Sequence, residues 1–365
     1  MKHNSAMEAE LSPLLPLYRR ERAGGRAFAL AIVVHTSGST YRKAGALMAI
    51  AADGSYAGLL SGGCLETDLR EHARAVIETG IAHTVTYNTG GSEDALWGLG
   101  VGCEGAMQIL LLRVGPEPNW QPLEHLDGAL AAHRATAAAV VVESRAPGVA
   151  AGNVFTAGTP SCGDAVLDEE VHALLARVAR SGRSSWLESS ALRVFAFPLA
   201  LPPRLLLLGG GPDAAPIVEL AARLAWRVTV YDHRPAYAQP AHFPAATRVA
   251  LGRPEELARV LDLGAYEAAV VMSHHLPSDL EYLRTLGASR IEYVGLLGPP
   301  HRRDRLLGDL GMAGEALRRR LHAPVGIDLG GRSPEAIALS IVAEIHGHLH
   351  RHAGSMRLAD RMAAG

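Results

Sequence analysis

Two of the three cysteines in this 365-residue chain sit among glycines. Cys64 lies in SGGCLE, residues 61–66, which opens a helix running to about Glu78, with Leu65, Leu69, Ala73, Val76 and Ile77 at helical spacing. A thiol at a helix start meets unpaired N–H groups and the positive end of the helix dipole, which favour the thiolate. Gly62 and Gly63 leave room for another group to approach the sulfur. Glu66 and Asp68 in the first turn stabilise the helix start and oppose a thiolate. Cys103 lies in WGLGVGCEG, where Gly98, Gly100, Gly102 and Gly105 forbid regular structure and leave backbone donors free, as in an anion- or sulfur-binding loop. A plain glycine loop feeding a strand is the alternative. The two cysteines are too far apart for a CxxC site, and their spacing does not make a zinc site. Cys162, in GTPSCGDA, reads as an incidental loop cysteine.

A second constellation is LLLLGGGPDAAPIVELAARLAWRVTVYDHR, residues 205–234. An apolar run stops at glycines, a helix-like segment over Ala214–Leu224 follows, and a second run ends at Asp232. On the G-x-G-x-x-G/A template, Gly209 makes the tight turn and Gly211 lets backbone approach a phosphate. Ala214 packs helix on strand. Asp232 stands 23 residues after Gly209, where an acid binds a ribose hydroxyl. Asp213, inside the turn, is an acid where a pyrophosphate would sit. Further strand ends carry polar groups: Ser273, His274 and His275 after Ala268–Met272, with Asp279 one turn on; Gly298, Arg302 and Arg303 after Tyr293–Val294; Asp328, Gly330 and Arg332 after Val325–Ile327. In an open parallel sheet these ends gather on one edge, where ligands bind, and the arginines and glycine amides there suit a phosphate.

The positioning elements follow from periodicity and punctuation. Residues 27–114 read mostly as strands with one good helix, a mixed α+β arrangement. A helix covers Leu123–Ala135 and another Asp168–Ser181, and Ala191–Phe197 is a strand. Ala138–Ser144 followed by RAPG loosely repeats Ala29–His35 followed by TSGS, so a partial internal duplication is open. Pro198, Pro202 and Pro203 mark a connector, which divides the chain into domains 1–203 and 204–365. Beyond it, strands and helices alternate as in a Rossmann-like doubly wound parallel sheet. The alternating histidines 346, 348, 350 and 352 read as a solvated helix end.

Composition bounds the function classes. Hydrophobic residues make up 48% and charged residues 20%, as in an ordinary globular protein, and the formal net charge of −2 offers no case for nucleic acid or anionic membrane. Lys2 and Lys43 are the only lysines, so positive charge is carried by arginine, which suits phosphate and carboxylate recognition. No run approaches the ~20 apolar residues of a spanning helix, and three cysteines are too few for a disulfide framework. The expected location is cytoplasmic.

The blocks HTSGSTYRKAGALM, LLSGGCLETDL, GLGVGCEGAMQILL, LLLLGGGPDA, VVMSHH, EYVGLLGPPHRR and APVGIDLGGRSPEAIALSIVAEI, taken in order, resemble the signature blocks of the XdhC/CoxI family. The resemblance spans roughly residues 27–113 and 204–345. It implies an accessory protein of xanthine dehydrogenase and related molybdenum hydroxylases, a cofactor-binding chaperone rather than a catalyst. Such a protein binds molybdenum cofactor, as molybdopterin or its cytosine dinucleotide, and presents it to a cysteine desulfurase for sulfuration. It then delivers the cofactor to the hydroxylase apo-subunit. Carried onto this chain, Cys103 is the first contact for the cofactor and its molybdenum, and Cys64 the second. Gly62, Gly63, Gly102, Gly209, Gly211, Asp232, His274 and Arg302 complete the expected cofactor-binding set. The chain departs from the family pattern at Glu104, where glycine is usual, and at Asp213, where histidine is usual. Folds of this kind commonly bury a sheet edge or helix in a homodimer. Two other readings stand beside this one. One is an NAD(P)- or FAD-dependent oxidoreductase using residues 205–234. The other is a thiol or metal-binding regulatory module using the cysteines and terminal histidines.

Overall fold

A computed structural model of the chain describes residues 10–63, 65–88, 105–158 and 164–350. Two compact units meet in sequence between Leu201 and Pro202. Among the described residues there are three sheets, two in the first unit and one in the second.

The first unit begins with a 3-10 turn and helix α1 (Leu15–Ala23). Strand β1 (Phe28–Gly38) pairs antiparallel with β2 (Leu47–Ala51), and β2 with β3 (Tyr56–Gly58). Helix α2 (Glu66–Thr79) then leads to β4 (His83–Asn88) and β5 (Gly105–Val114), giving the order β3-β2-β1-β5-β4. After α3 (Leu123–Ala131), which ends four residues before the expected helix, comes a second antiparallel sheet. It is built from β6 (Ala137–Ser144), β7 (Val154–Phe155), α4 (Ala165–Ser181), β8 (Ser185–Glu188) and β9 (Leu192–Pro198), ordered β7-β6-β9-β8.

The two sheets are copies of one design. Apart from the additional β3 of the first, each runs strand, strand, helix, strand, strand, and β2-β1-β5-β4 has the same order as β7-β6-β9-β8. The Val33 carbonyl accepts the Gly45 N–H at 2.7 Å, and the Val141 carbonyl accepts the Gly152 N–H at 2.8 Å. The β1–β5 register shifts between Val33 and His35, and the β6–β9 register shifts between Val141 and Glu143. Left-handed Gly80 and Gly182 end α2 and α4. The bulges match Val33 to Val141, one residue away from the alignment that the sequence suggests, because a run of small apolar residues has no internal landmark.

Period-two alternation gives each strand two apolar faces. Leu30, Ile32 and Val34 of β1 and Leu110 and Leu112 of β5 share a core with Val140 and Val142 of β6 and Phe195 and Phe197 of β9. On the opposite faces, Ala29, Ala31 and Val33 pack with Leu69, Ala73 and Val76 of α2. Ala139 and Val141 pack likewise with Val171, Leu174 and Val178 of α4. The order of layers is helix, sheet, sheet, helix.

The second unit is the expected doubly wound sheet. Strand β10 (Arg204–Leu208), helix α5 (Ala214–Arg223), β11 (Arg227–Asp232) and β12 (Arg248–Leu251) form one half. The short α6 (Leu257–Val260) leads to β13 (Ala268–Val271), α7 (Leu276–Gly287), β14 (Tyr293–Leu296), α8 (Pro300–Leu310), α9 (Met312–Leu317), β15 (Leu321–His322) and α10 (Pro334–Leu349). All pairings are parallel, in the order β12-β11-β10-β13-β14-β15. The last strand is Leu321–His322 and not the expected Val325–Ile327, since Pro324 has no N–H to extend the ladder. The histidines of α10 also differ from a solvated helix end. His346 stacks on Trp226 with ring centroids 6.2 Å apart, and His348 lies edge-on to Tyr293 and His322. Among the described residues no group of three or more His, Cys, Asp or Glu could hold a metal ion, and no helix is long and apolar enough to cross a membrane.

If the face shared by the two antiparallel sheets is the main core of the first unit, Phe197→Ala opens a cavity there. It should cost about 3–5 kcal/mol of stability, read as a shift in the urea unfolding midpoint.

Candidate functional sites at two sheet ends

Strand directions bring three loops to one end of the first sheet. Strands β1, β3 and β4 finish at this end and β2 and β5 begin there, as the pairings Gly38 with Gly105 and Asn88 with Ala106 require. Residues 39–46 and 59–63 therefore lie at this end, as do Asn88 and Gly105, which flank residues 89–104. Cys64, Gly102, Cys103 and Glu104 lie outside the described residues, as does Cys162. The residues that anchor them are described. A Cβ at Gly105 would stand 2.5 Å from the Ser39 carbonyl oxygen and 2.7 Å from that of Ser37, so only glycine fits where β5 meets the end of β1. Gly63 has φ +109, which an L side chain rarely adopts, and a Cβ on it or on Gly62 would meet open space. Both glycines are exposed, as an approach to this loop requires.

A clasp at Ser61, absent from the expected site residues, holds this loop. The Ser61 hydroxyl accepts the N–H groups of Gly63 (3.2 Å) and Leu65 (3.1 Å), and donates to Glu66 Oε2 at 2.5 Å. Glu66 Oε1 also accepts the Ser61 N–H at 3.0 Å. Glu66 is 3% exposed and its carboxylate is taken up by Ser61. Burial pushes its carboxyl up, but the hydrogen bonds from Ser61 outweigh it and hold the group below its ordinary value. Asp68 is likewise engaged, by the Tyr87 hydroxyl. A serine five residues before a first-turn glutamate, with two glycines between, is the signal that could have revealed the clasp.

In the second unit the ends of β10, β11, β13 and β14 lie side by side. Gly209, at φ +133, makes the tight turn: a Cβ there would stand 2.5 Å from Met272 backbone at the end of β13. Asp213 and His274 meet across the turn, Oδ2 to Nε2, at 2.8 Å. The hydrogen bond that His274 donates to Asp213 raises the His274 pKa. Asp232 is fully buried. Its Oδ2 accepts the Gly210 N–H at 2.7 Å and Arg234 Nη2 at 2.7 Å, and its Oδ1 accepts the Arg234 N–H and Nε. Burial raises the Asp232 carboxyl, yet these bonds hold it below the ordinary range. Arg302 donates from Nη2 to buried Asp279 at 2.6 Å, and Ser273 donates to the other oxygen of Asp279 at 2.5 Å. His233 is held low in pKa by burial, and His275 bonds Ser278. Of the expected polar groups, Asp213 meets His274, and Asp232 and Arg302 are bound to neighbours of their own, while Asp328, Gly330 and Arg332 follow a segment that is not a strand.

The Ser61 clasp gives a pH-dependent expectation. Because the folded pKa of Glu66 is depressed, its stabilisation is present above the ordinary value of 4.5 and is lost as pH falls through the folded value. Ser61→Ala should cost about 1–3 kcal/mol at pH 7, and the gap to the unmodified protein should narrow in acid. Urea unfolding across pH 3–7 reads both effects.

Comparison with known proteins agrees with these two units. Residues 21–88 match the model of the XdhC and CoxI family, and residues 205–345 match that of the XdhC Rossmann domain. The chain is 32% identical over 316 residues to a probable xanthine dehydrogenase component of Bacillus subtilis, covering 87% of this chain and 91% of that one. It is 31% identical over 175 residues to the uncharacterized protein YqeB of Escherichia coli, covering 46% of this chain and 32% of that protein. The solved structure of a xanthine dehydrogenase from Bacillus halodurans superimposes with a TM-score of 0.74 at 26% identity, over 95% of this chain and 99% of that one. By these matches the chain belongs to the XdhC and CoxI family.

Proposed function

We propose that this protein is an accessory protein of a xanthine dehydrogenase-type molybdenum hydroxylase. In this reading it binds molybdenum cofactor, holds it for sulfuration by a cysteine desulfurase and inserts it into the apo-subunit. The observation that carries the reading is that the described residues flanking both cysteines, Gly63 on one side and Asn88 and Gly105 on the other, lie at one end of the first sheet, held by Ser61–Glu66 and by the Gly38–Gly105 pairing. The donor chemistry fits: a thiolate is a soft ligand, matched to a metal already held by a dithiolene. When bound, the cofactor supplies the metal centre that the hydroxylase needs. The chain's own part is to present Cys103 and Cys64 from a fixed frame and leave Gly62 and Gly63 as an open approach. Family membership and the likeness to proteins named as xanthine dehydrogenase components support a dehydrogenase as partner.

Titration of the purified full chain with free molybdopterin, read by pterin fluorescence, tests this. Cys103→Ala should weaken binding by at least about tenfold, about 1.4 kcal/mol, with a smaller loss for Cys64→Ala. Unchanged affinity in the double variant would remove the thiols from the site. Failure of the unmodified chain to bind molybdopterin at all would remove the carrier role.

A further inference from the structure

The glycine turn of the second unit is occupied from within. A Cβ at Gly211 would stand 2.8 Å from Asp213 Oδ1, so that carboxylate oxygen lies against the bare Cα. In the dinucleotide-binding arrangement this is the space through which a diphosphate approaches the backbone. The other oxygen of Asp213 is tied to His274 Nε2 at 2.8 Å. His274 reaches it from the loop after β13 with a left-handed φ of 58°, uncommon for a residue with a side chain. Asp213 occupies the N-cap of α5, yet its side chain makes no capping hydrogen bond, so its charge is spent across the turn and not on the helix. The second anchor of a dinucleotide is committed as well. Asp232 is fully buried with both oxygens bonded to Gly210 and Arg234, leaving no free acceptor for ribose hydroxyls.

We propose that Asp213, held by His274, is an internal anion that closes this Rossmann turn to diphosphates, so the domain keeps the architecture of a nucleotide site while rejecting NAD, FAD and nucleoside diphosphates. A ligand diphosphate must displace a carboxylate of its own charge sign and break its bond to His274. The same exclusion applies at this turn to a cytosine dinucleotide form of the molybdenum cofactor. Binding through the thiols does not depend on it, so the two readings stand or fall separately.

The test is calorimetric titration of the full chain with ADP and with NAD at low ionic strength. Asp213→Ser removes the charge and supplies another residue suited to an N-cap, while Asp213→Asn keeps the shape and removes only the charge. Either variant should bind ADP at least about tenfold more tightly than the unmodified protein, whose own binding of ADP and NAD should be weak or undetectable. His274→Ala, which leaves the carboxylate in place, should gain much less. Tight binding of ADP or NAD by the unmodified protein overturns the proposal, as does the absence of any gain in a folded Asp213→Ser or Asp213→Asn variant.

Discussion

The side chains of β1 point alternately into two cores, Leu30 and Ile32 toward the second sheet and Ala31 and Val33 toward α2. The parallel sheet is built the same way. Leu205 and Leu207 face the core under α5 and α10, and Leu206 and Leu208 face the one under α7. A strand buried on both faces has no place for a working polar group, since each would need a partner in a dry interior. Chemistry is therefore expelled to the strand ends, where backbone and loops meet solvent. Both candidate sites obey this: the residues flanking the two cysteines lie at one end of an antiparallel sheet, and Asp213, His274 and Arg302 crown the carboxyl edge of a parallel one.

The same constraint explains what could be read from the residues alone. LLLL at 205–208 and AAVV within 268–271 are apolar at every position, which only a doubly covered strand tolerates, so the alternating second half was legible. Edge strands carry weaker signals. SWLE at 185–188 and RVAL at 248–251 are short and half polar, too little to mark a strand. The two-residue β7 and β15 carry no period at all. In the sites, residue identity was legible and direction was not. Glu66 has the same place in the first helical turn whether it is exposed or buried, and the Ser61 bonds account for its burial. Asp232 falls where a ribose-binding acid belongs, but Arg234, in the same DHR triplet, takes both of its oxygens.

Charge at the two sites is handled in opposite ways. At the first sheet the two acids of the first helical turn are each bound to a neutral hydroxyl, Glu66 to Ser61 and Asp68 to Tyr87. At the parallel sheet three acids are retained and matched to a cation or imidazole: Asp213 to His274, Asp232 to Arg234, Asp279 to Arg302. Such matched pairs leave little net field at that edge for an incoming anion to exploit.

The duplication in the first unit has a different consequence. Where the first copy inserts residues 89–104 between β4 and β5, the second copy joins β8 to β9 through Ser189, Ser190 and Ala191 alone. Ser189 braces that turn, its hydroxyl accepting the N–H groups of Ala191 and Leu192. One scaffold thus exists in a bare and an elaborated form within a single polypeptide. The bare form shows that this strand order closes with a connection of only three residues, so the length of the first copy's connection is not a requirement of the strand order itself.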